Sequence, residues 1–283
     1  MTILFWNFKP KEDASKHSED NNEGLKYLKD LTSNHDIDIL VLIESKLNPS
    51  NVLLILNEQD TSYYYCPNKI NINTSIQIFT KFSSDLLVPI KDFPKRYTAR
   101  KLTIPSKNEE LLFIVVHFYS KVWHSSKDQT IEAANLSSFI NESESEVKHQ
   151  QTIVLGDFNM NPFEDGMVQT TGLHATMDKQ TALKVSKTVD GNDYKYFYNP
   201  MWSFFGEEGK SEVNGTYYHR KGHICYYWNI LDQVIFRPEV IEYFDENSLQ
   251  IITNTPNYNL LKSNGRVNEK ISDHLPVMFK LNF

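Results

Sequence analysis

The stretch Ile153 to Pro162, IVLGDFNMNP, constrains this chain more than any other. Ile153, Val154 and Leu155 form an unbroken aliphatic run, the pattern of a strand covered on both faces, and Gly156 permits a tight exit from it. Asp157 and Asn159 follow at its carboxyl end, two residues apart, so strand alternation would aim both side chains the same way. An acid and an amide converging on one small volume suit a site that handles a phosphate and a metal ion. The tripeptide alone reads equally well as an Asp-Phe-Asn turn, because both residues bond to nearby backbone in turns.

Other apolar runs end in the same manner. Thr2 to Phe8 reads as a central first strand carrying Asn7, Ile37 to Ile43 stops on Glu44, and Leu111 to Val116 delivers His117. Ile230 to Phe236 carries Asp232 near its start, and Ile271 to Lys280, ISDHLPVMFK, sets Asp273 and His274 just before a terminal strand. Strand ends on one rim of a sandwich meet in space, so residues far apart in sequence can form one cluster. Burying an acid directly after so apolar a run is costly unless it is paired, so Glu44 calls for a cation.

Between these runs the pattern is mixed. Residues 10–23 are polar without period and read as a loop. Leu25, Leu28 and Leu31 have helical spacing, Val52 to Leu56 follows Pro49 as a short helix, and residues 128–141 predict a helix before a Glu, Ser and Lys-rich loop to Gln151. Tyr63 to Tyr65, Ile76 to Phe79, Leu86 to Ile90 and Arg96 to Ile104 read as a meander, and Asp165 to Lys195 as mixed helix and loop. Arg96, Arg100 and Lys101 are either a solvated edge or phosphate contacts. Tyr198 to Trp202 is an aromatic turn that offers Asn199 and Trp202 as substrate contacts. Gly215 to Trp228 interleaves His219, Arg220, Lys221 and His223 with tyrosines, including Tyr217. It reads as an aromatic strand pair or as a surface that binds phosphates and stacks bases.

The 283 residues, 40% hydrophobic and 13% aromatic, are ample for a buried core in a single domain over residues 1–283. A net charge of −7 argues against a general nucleic-acid binder. Two isolated cysteines, Cys66 and Cys225, point to a reducing compartment. No leader pattern and no apolar window of about 18 residues is visible, which reads as a cytoplasmic protein with no membrane partner. Carboxylates from Glu44 and Asp273 with the amide of Asn7 form a hard-oxygen set suited to Mg²⁺, with Mn²⁺ as second choice. Zinc is a weaker alternative, raised by His219 and His223 four apart.

The ordered set Trp6-Asn7, Glu44-Ser45, Val115-Val116-His117, Gly156 to Asn159, Leu231 to Val234 and Ser272 to Pro276 resembles the endonuclease/exonuclease/phosphatase superfamily along essentially the whole chain. The resemblance implies an α/β fold, a four-layer α/β/β/α sandwich with two packed mixed β-sheets. It implies a metal held by Asn7, Glu44 and Asp273, with Asp157 orienting or deprotonating water and Asn159 binding the scissile phosphate. His274 paired with Asp232 would stabilise phosphoryl oxygens, and His117 would serve the phosphate or leaving group. The activity expected is a Mg²⁺-dependent phosphoesterase, foremost a nuclease on DNA or RNA, with Arg96, Arg100, Asn199, Trp202 and Tyr217 touching substrate and a partner protein delivering it. The runner-up is a phosphatase or phosphodiesterase acting on a small-molecule or lipid phosphoester. An inactive binding module would have lost a metal ligand or the terminal histidine, and neither is missing.

Overall fold

A computed structural model of the protein describes residues 1–9, 22–58, 62–69, 75–122, 124–207, 209, 211–223 and 225–283. The loop expected over residues 10–23 lies largely outside them. The first third contains β1 (Thr2–Asn7), α1 (Asn22–Asn34), β2 (Ile39–Ile43), α2 (Pro49–Leu56), β3 (Tyr64–Tyr65), β4 (Ile76–Thr80), β5 (Leu87–Phe93) and β6 (Tyr97–Ile104). The middle holds β7 (Glu109–His117), α3 (Ser126–Val147), β8 (Thr152–Asp157), α4 (Asp165–Val168), β9 (Ala175–Thr176), α5 (Lys179–Ala182), β10 (Ser186–Val189) and β11 (Asn192–Lys195). The last third adds β12 (Phe197–Tyr198), β13 (Tyr217–His219), β14 (Tyr227–Asn229), β15 (Asp232–Phe236), β16 (Phe244–Ile251) and β17 (Val277–Leu281).

Two mixed sheets carry the fold: one ordered β16-β17-β1-β2-β4-β3, the other β5-β6-β7-β8-β15-β12-β9. Alternation along β7 shows how they stack. Leu111, Phe113 and Val115 enter the core shared with β1 and β2, whereas Leu112, Ile114 and Val116 pack with Ala133, Leu136 and Ile140 of α3. Leu28 and Leu31 of α1, with Val52 and Leu56 of α2, join the core cluster of β1 and β2. The four layers are therefore α1 and α2, the first sheet, the second sheet, and α3, as the family resemblance implies. Strands buried on both faces need apolar residues at every position, which is why β1, β2 and β8 show no alternation.

Three local expectations need correction. Gly156 lies inside β8 rather than at its exit. Its φ is +133°, and a Cβ there would meet the Val116 carbonyl oxygen at 2.1 Å, so the glycine serves a close approach of β7. Helix α3 runs on to Val147 and ends at Lys148 in the left-handed region. Its polar final turns hold because Glu144, almost completely buried, bonds Arg237 Nε at 2.8 Å and Thr152 Oγ1 at 3.0 Å. The third is Arg100: on β6, it is wholly buried, donating to the Pro67 carbonyl at 2.7 Å and Asn68 Oδ1 at 2.5 Å, with Asp92 at 4.0 Å. A substrate cannot reach it.

Candidate active site

Strand register assembles the site. On the second sheet, Asp157 pairs with His117 on one side and Asp232 on the other, so three chemical side chains stand in a row where β7, β8 and β15 approach one rim. On the first sheet, Asn7 pairs with Ile43, placing Glu44 one residue beyond it. Glu44 takes a φ of +56°, a conformation that costs energy in a non-glycine residue and turns the chain at the cleft mouth. His274 arrives from the segment before β17, fixed by Trp6 Nε1 donating to its carbonyl at 2.8 Å and by a bridge to Tyr217.

Asp157 is the hub. Asn7 Nδ2 and Asn159 Nδ2 each donate to its Oδ2 at 2.9 Å, and the Asn159 amide donates to Oδ1 at 2.8 Å. The turn and the site are thus one object: Asn159 reaches Asp157 through a turn with φ +50°, not through strand alternation. Burial pushes the Asp157 carboxyl up to about 6, with the charge of Asp232 adding to the rise and His274 opposing it.

His274 Nδ1 lies 2.7 Å from Asp232 Oδ2. An ionised carboxylate only accepts, so Nδ1 carries the proton and Nε2 is left for other partners. Burial works against the charged ring. The charge and hydrogen bond of Asp232, joined by Asp157 and Asp273, outweigh it and raise His274 to about 10. On the other side of Asp157, His117 Nε2 donates to Glu44 Oε1 at 2.9 Å and Lys9 Nζ to Oε2 at 2.6 Å. His117 holds the Glu44 carboxyl well below the usual range, Lys9 contributes in the same direction, and burial opposes both. Ser75 Oγ, 2.8 Å from Nδ1, orients the His117 ring.

Asn7, Glu44, Asp157, Asn159, Asp273 and His274 line one cleft of about 550 Å³. Among the described residues, Glu44, His117 and Asp157 bring ligand atoms within 4.8 Å of one another, as do Asp157, Asp232 and His274. Asn7 Oδ1 is buried with no hydrogen-bond partner beside the first group, a donor suited to a divalent cation. Asp273 stands on the cleft wall but in neither group, and His219 and His223 belong to neither.

The sequence model of the Endonuclease/Exonuclease/phosphatase family matches residues 8–274. The chain belongs to this family. Its members are phosphoester hydrolases that generally use divalent metal ions, and the acid and histidine groups around Asp157 fit such an ion. Among solved structures, the human Nocturnin catalytic domain with bound sulfate is 15% identical with a TM-score of 0.60, covering 100% of this chain and 94% of that one. A Bacteroides thetaiotaomicron mannosyl-6-phosphatase is 15% identical at TM-score 0.58, with both chains covered completely. A humanized D. rerio TDP2 is 14% identical at TM-score 0.56, covering 100% of this chain and 99% of that one. No curated protein sequence matches the chain.

Within this family fold, the predicted substrate contacts separate. Tyr217 lines the cleft, its ring 4.8 Å from that of His274. Arg96 is half-buried and stacks on Tyr119 at 3.4 Å, outside the cleft lining. Asn199 is fully buried: its Nδ2 donates to Gln233 at 2.7 Å and its Oδ1 accepts from the Met201 amide at 3.0 Å, so it caps a turn. Trp202 packs against Phe163 and Phe205 and is not among the residues that line the cleft. Trp123, which the sequence groups with Tyr119 and His124 as candidate aromatic packing near His117, lies outside the described residues. Lys9, Lys121 and Asn229 also line the cleft, and the sequence pattern does not separate them from the many other polar residues that follow apolar or aromatic stretches.

Proposed function

We propose that the protein is a Mg²⁺-dependent phosphodiesterase of the nuclease type, working in a reducing compartment. The observation that carries the reading is that Asp157, His274 with Asp232, and Glu44 with Asn7 face one cleft with complementary protonation states. Asp157, poised by burial near the working pH, is the acceptor for a proton from water, and its oxygens are held in place by Asn7 and Asn159. His274, kept charged by Asp232, presents Nε2 as a donor to a phosphoryl oxygen. His117, locked between Ser75 and Glu44, stands on the other side of Asp157 from Asp232. Glu44 and Asn7 Oδ1 would hold the divalent ion, which would neutralise phosphate charge when bound. The hard-oxygen donors favour Mg²⁺, with Mn²⁺ as a substitute.

The nuclease choice is supported by what flanks the cleft. Lys121, His219 and Asn229 are shared with a neighbouring cavity of about 590 Å³ walled by Phe163 and Tyr226, the latter more than half exposed. A cation beside an aromatic wall suits a nucleotide, and Phe163 and Tyr226, rather than Trp202, offer the aromatic substrate contact. The net charge of −7 favours a second reading, a small anionic phosphoester rather than a long strand. Product release from single-stranded DNA, duplex DNA, RNA and a small phosphodiester, each with Mg²⁺, Mn²⁺ or EDTA, tests both. Metal-dependent cutting of a nucleic acid is the expected result; turnover of the small ester alone would select the second reading.

A further inference from the structure

We infer that a second phosphate-binding subsite lies beside the catalytic cleft, and that the substrate carries a further phosphate linked to the scissile one. This rests on the phosphoesterase reading above. A cavity of about 530 Å³ shares Tyr217, His219 and Asp273 with the catalytic cleft, so one ligand can span both. Four cations line it, Arg220, Lys221, Lys262 and Arg266, against two carboxylates, Glu269 and Asp273. In a chain with seven more acids than bases, this local reversal of sign marks where an anion is favoured.

The cations are held by structure on two sides. Lys262 and Arg266 stand on the arms of a tight turn: the Lys262 amide donates to the Arg266 carbonyl at 2.7 Å, the Gly265 amide to the Lys262 carbonyl at 2.9 Å, and Leu261 bridges Val267. The Arg266 guanidinium lies 5.2 Å from the centre of the Tyr218 ring, on β13, the strand that carries Tyr217 into the catalytic cleft. Lys262 Nζ is 3.7 Å from Glu269, a loose exposed pair that an entering phosphate can displace at little cost. Arg220 and Lys221 face this turn from the end of β13. The shared wall ties the subsite to the reaction, since β13 also bridges His274.

Two sources of the second phosphate are distinguishable: the next phosphate of a nucleic-acid strand, or a small bisphosphate. The test compares kcat/KM on a thymidine dinucleotide with and without a terminal phosphate, and on a sugar bisphosphate against its monophosphate, for wild type and Lys262→Gln/Arg266→Gln. A second pair, Arg220→Gln/Lys221→Gln, probes the facing wall, and Lys184→Gln/Lys187→Gln removes the same charge from the β10–β11 hairpin and the turn that precedes it, neither of which lines the cavity. The expected result is that the preference for the doubly phosphorylated member of one pair falls about tenfold in both cavity variants, through KM, and holds in the hairpin variant. The pair that responds names the source. An unchanged preference, or an equal loss in the hairpin variant, overturns the subsite. If the wild type hydrolyses nothing, the phosphoesterase reading fails by itself. Fluorescence anisotropy of the labelled, terminally phosphorylated dinucleotide in EDTA, with the sugar bisphosphate as competitor, then decides the subsite: weaker binding in the cavity variants supports it, and equal binding in all variants contradicts it.

Discussion

His274 Nδ1 donates to Asp232 Oδ2 across 2.7 Å, joining residues 42 apart in sequence, and both side chains are buried. The pair sets which ring nitrogen carries the fixed proton and which one faces the chemistry. Asp232→Asn keeps the shape and removes the charge. On the most active phosphodiester, kcat is expected to fall about a hundred- to ten-thousandfold with little change in KM. A loss confined to KM would mean that the pair binds substrate without acting in the transition state.

In the proposed site, Lys9 would compete with the divalent ion for the Glu44 carboxylate. Lys9 Nζ lies 2.6 Å from Glu44 Oε2, and that hydrogen bond raises the ammonium's pKa against the effect of burial. Lys9→Gln frees the oxygen, so Mg²⁺ is expected to bind up to about fivefold more tightly by calorimetry, the span of an exposed ion pair. Weaker binding in the variant would place the metal away from Glu44.

Glu144 ties α3 to β8 and to Arg237 just past β15, with the carboxylate and guanidinium nearly buried. Removing one partner strands the other charge, so Glu144→Ala is expected to cost about 3–5 kcal/mol in denaturant unfolding. A cost under about 1 kcal/mol would show that Arg237 finds another partner.

Much of the site was legible because burial leaves a signature: an apolar run that stops on Asn7, Glu44, His117 or Asp157 marks a strand end, and strand ends gather. What sequence could not give was the direction of long side chains. Arg100 sits on an alternating strand where a charge reads as exposed, yet its partners are the Pro67 carbonyl and Asn68, contributed by a loop with no pattern of its own. Asn199 shows the same limit, since an asparagine before a proline serves a turn or a ligand equally well until Gln233 is seen beside it. The Ser and Glu-rich end of α3 looks like loop until Arg237 arrives from far along the chain.

Stability should fall on the acid side. Burial, the largest influence, holds His174 below its ordinary 6.5, and its Nδ1 is buried with no hydrogen-bond partner. The unfolded chain therefore binds a proton that the folded chain refuses. This contribution is fully present above about 6.5 and is lost as pH falls below that value. Comparing unfolding of wild type and His174→Gln at pH 8 and pH 5, the wild type is expected to lose more stability on acidification. Equal losses would contradict the assignment.

The most direct measurement is hydrolysis of DNA, RNA and a small phosphodiester with Mg²⁺ and with EDTA, by wild type, Asp157→Ala and His274→Ala. Metal-dependent cleavage of a nucleic acid that falls at least about a thousandfold in both variants is the expected result. Activity that survives EDTA, or that survives in either variant, would contradict it.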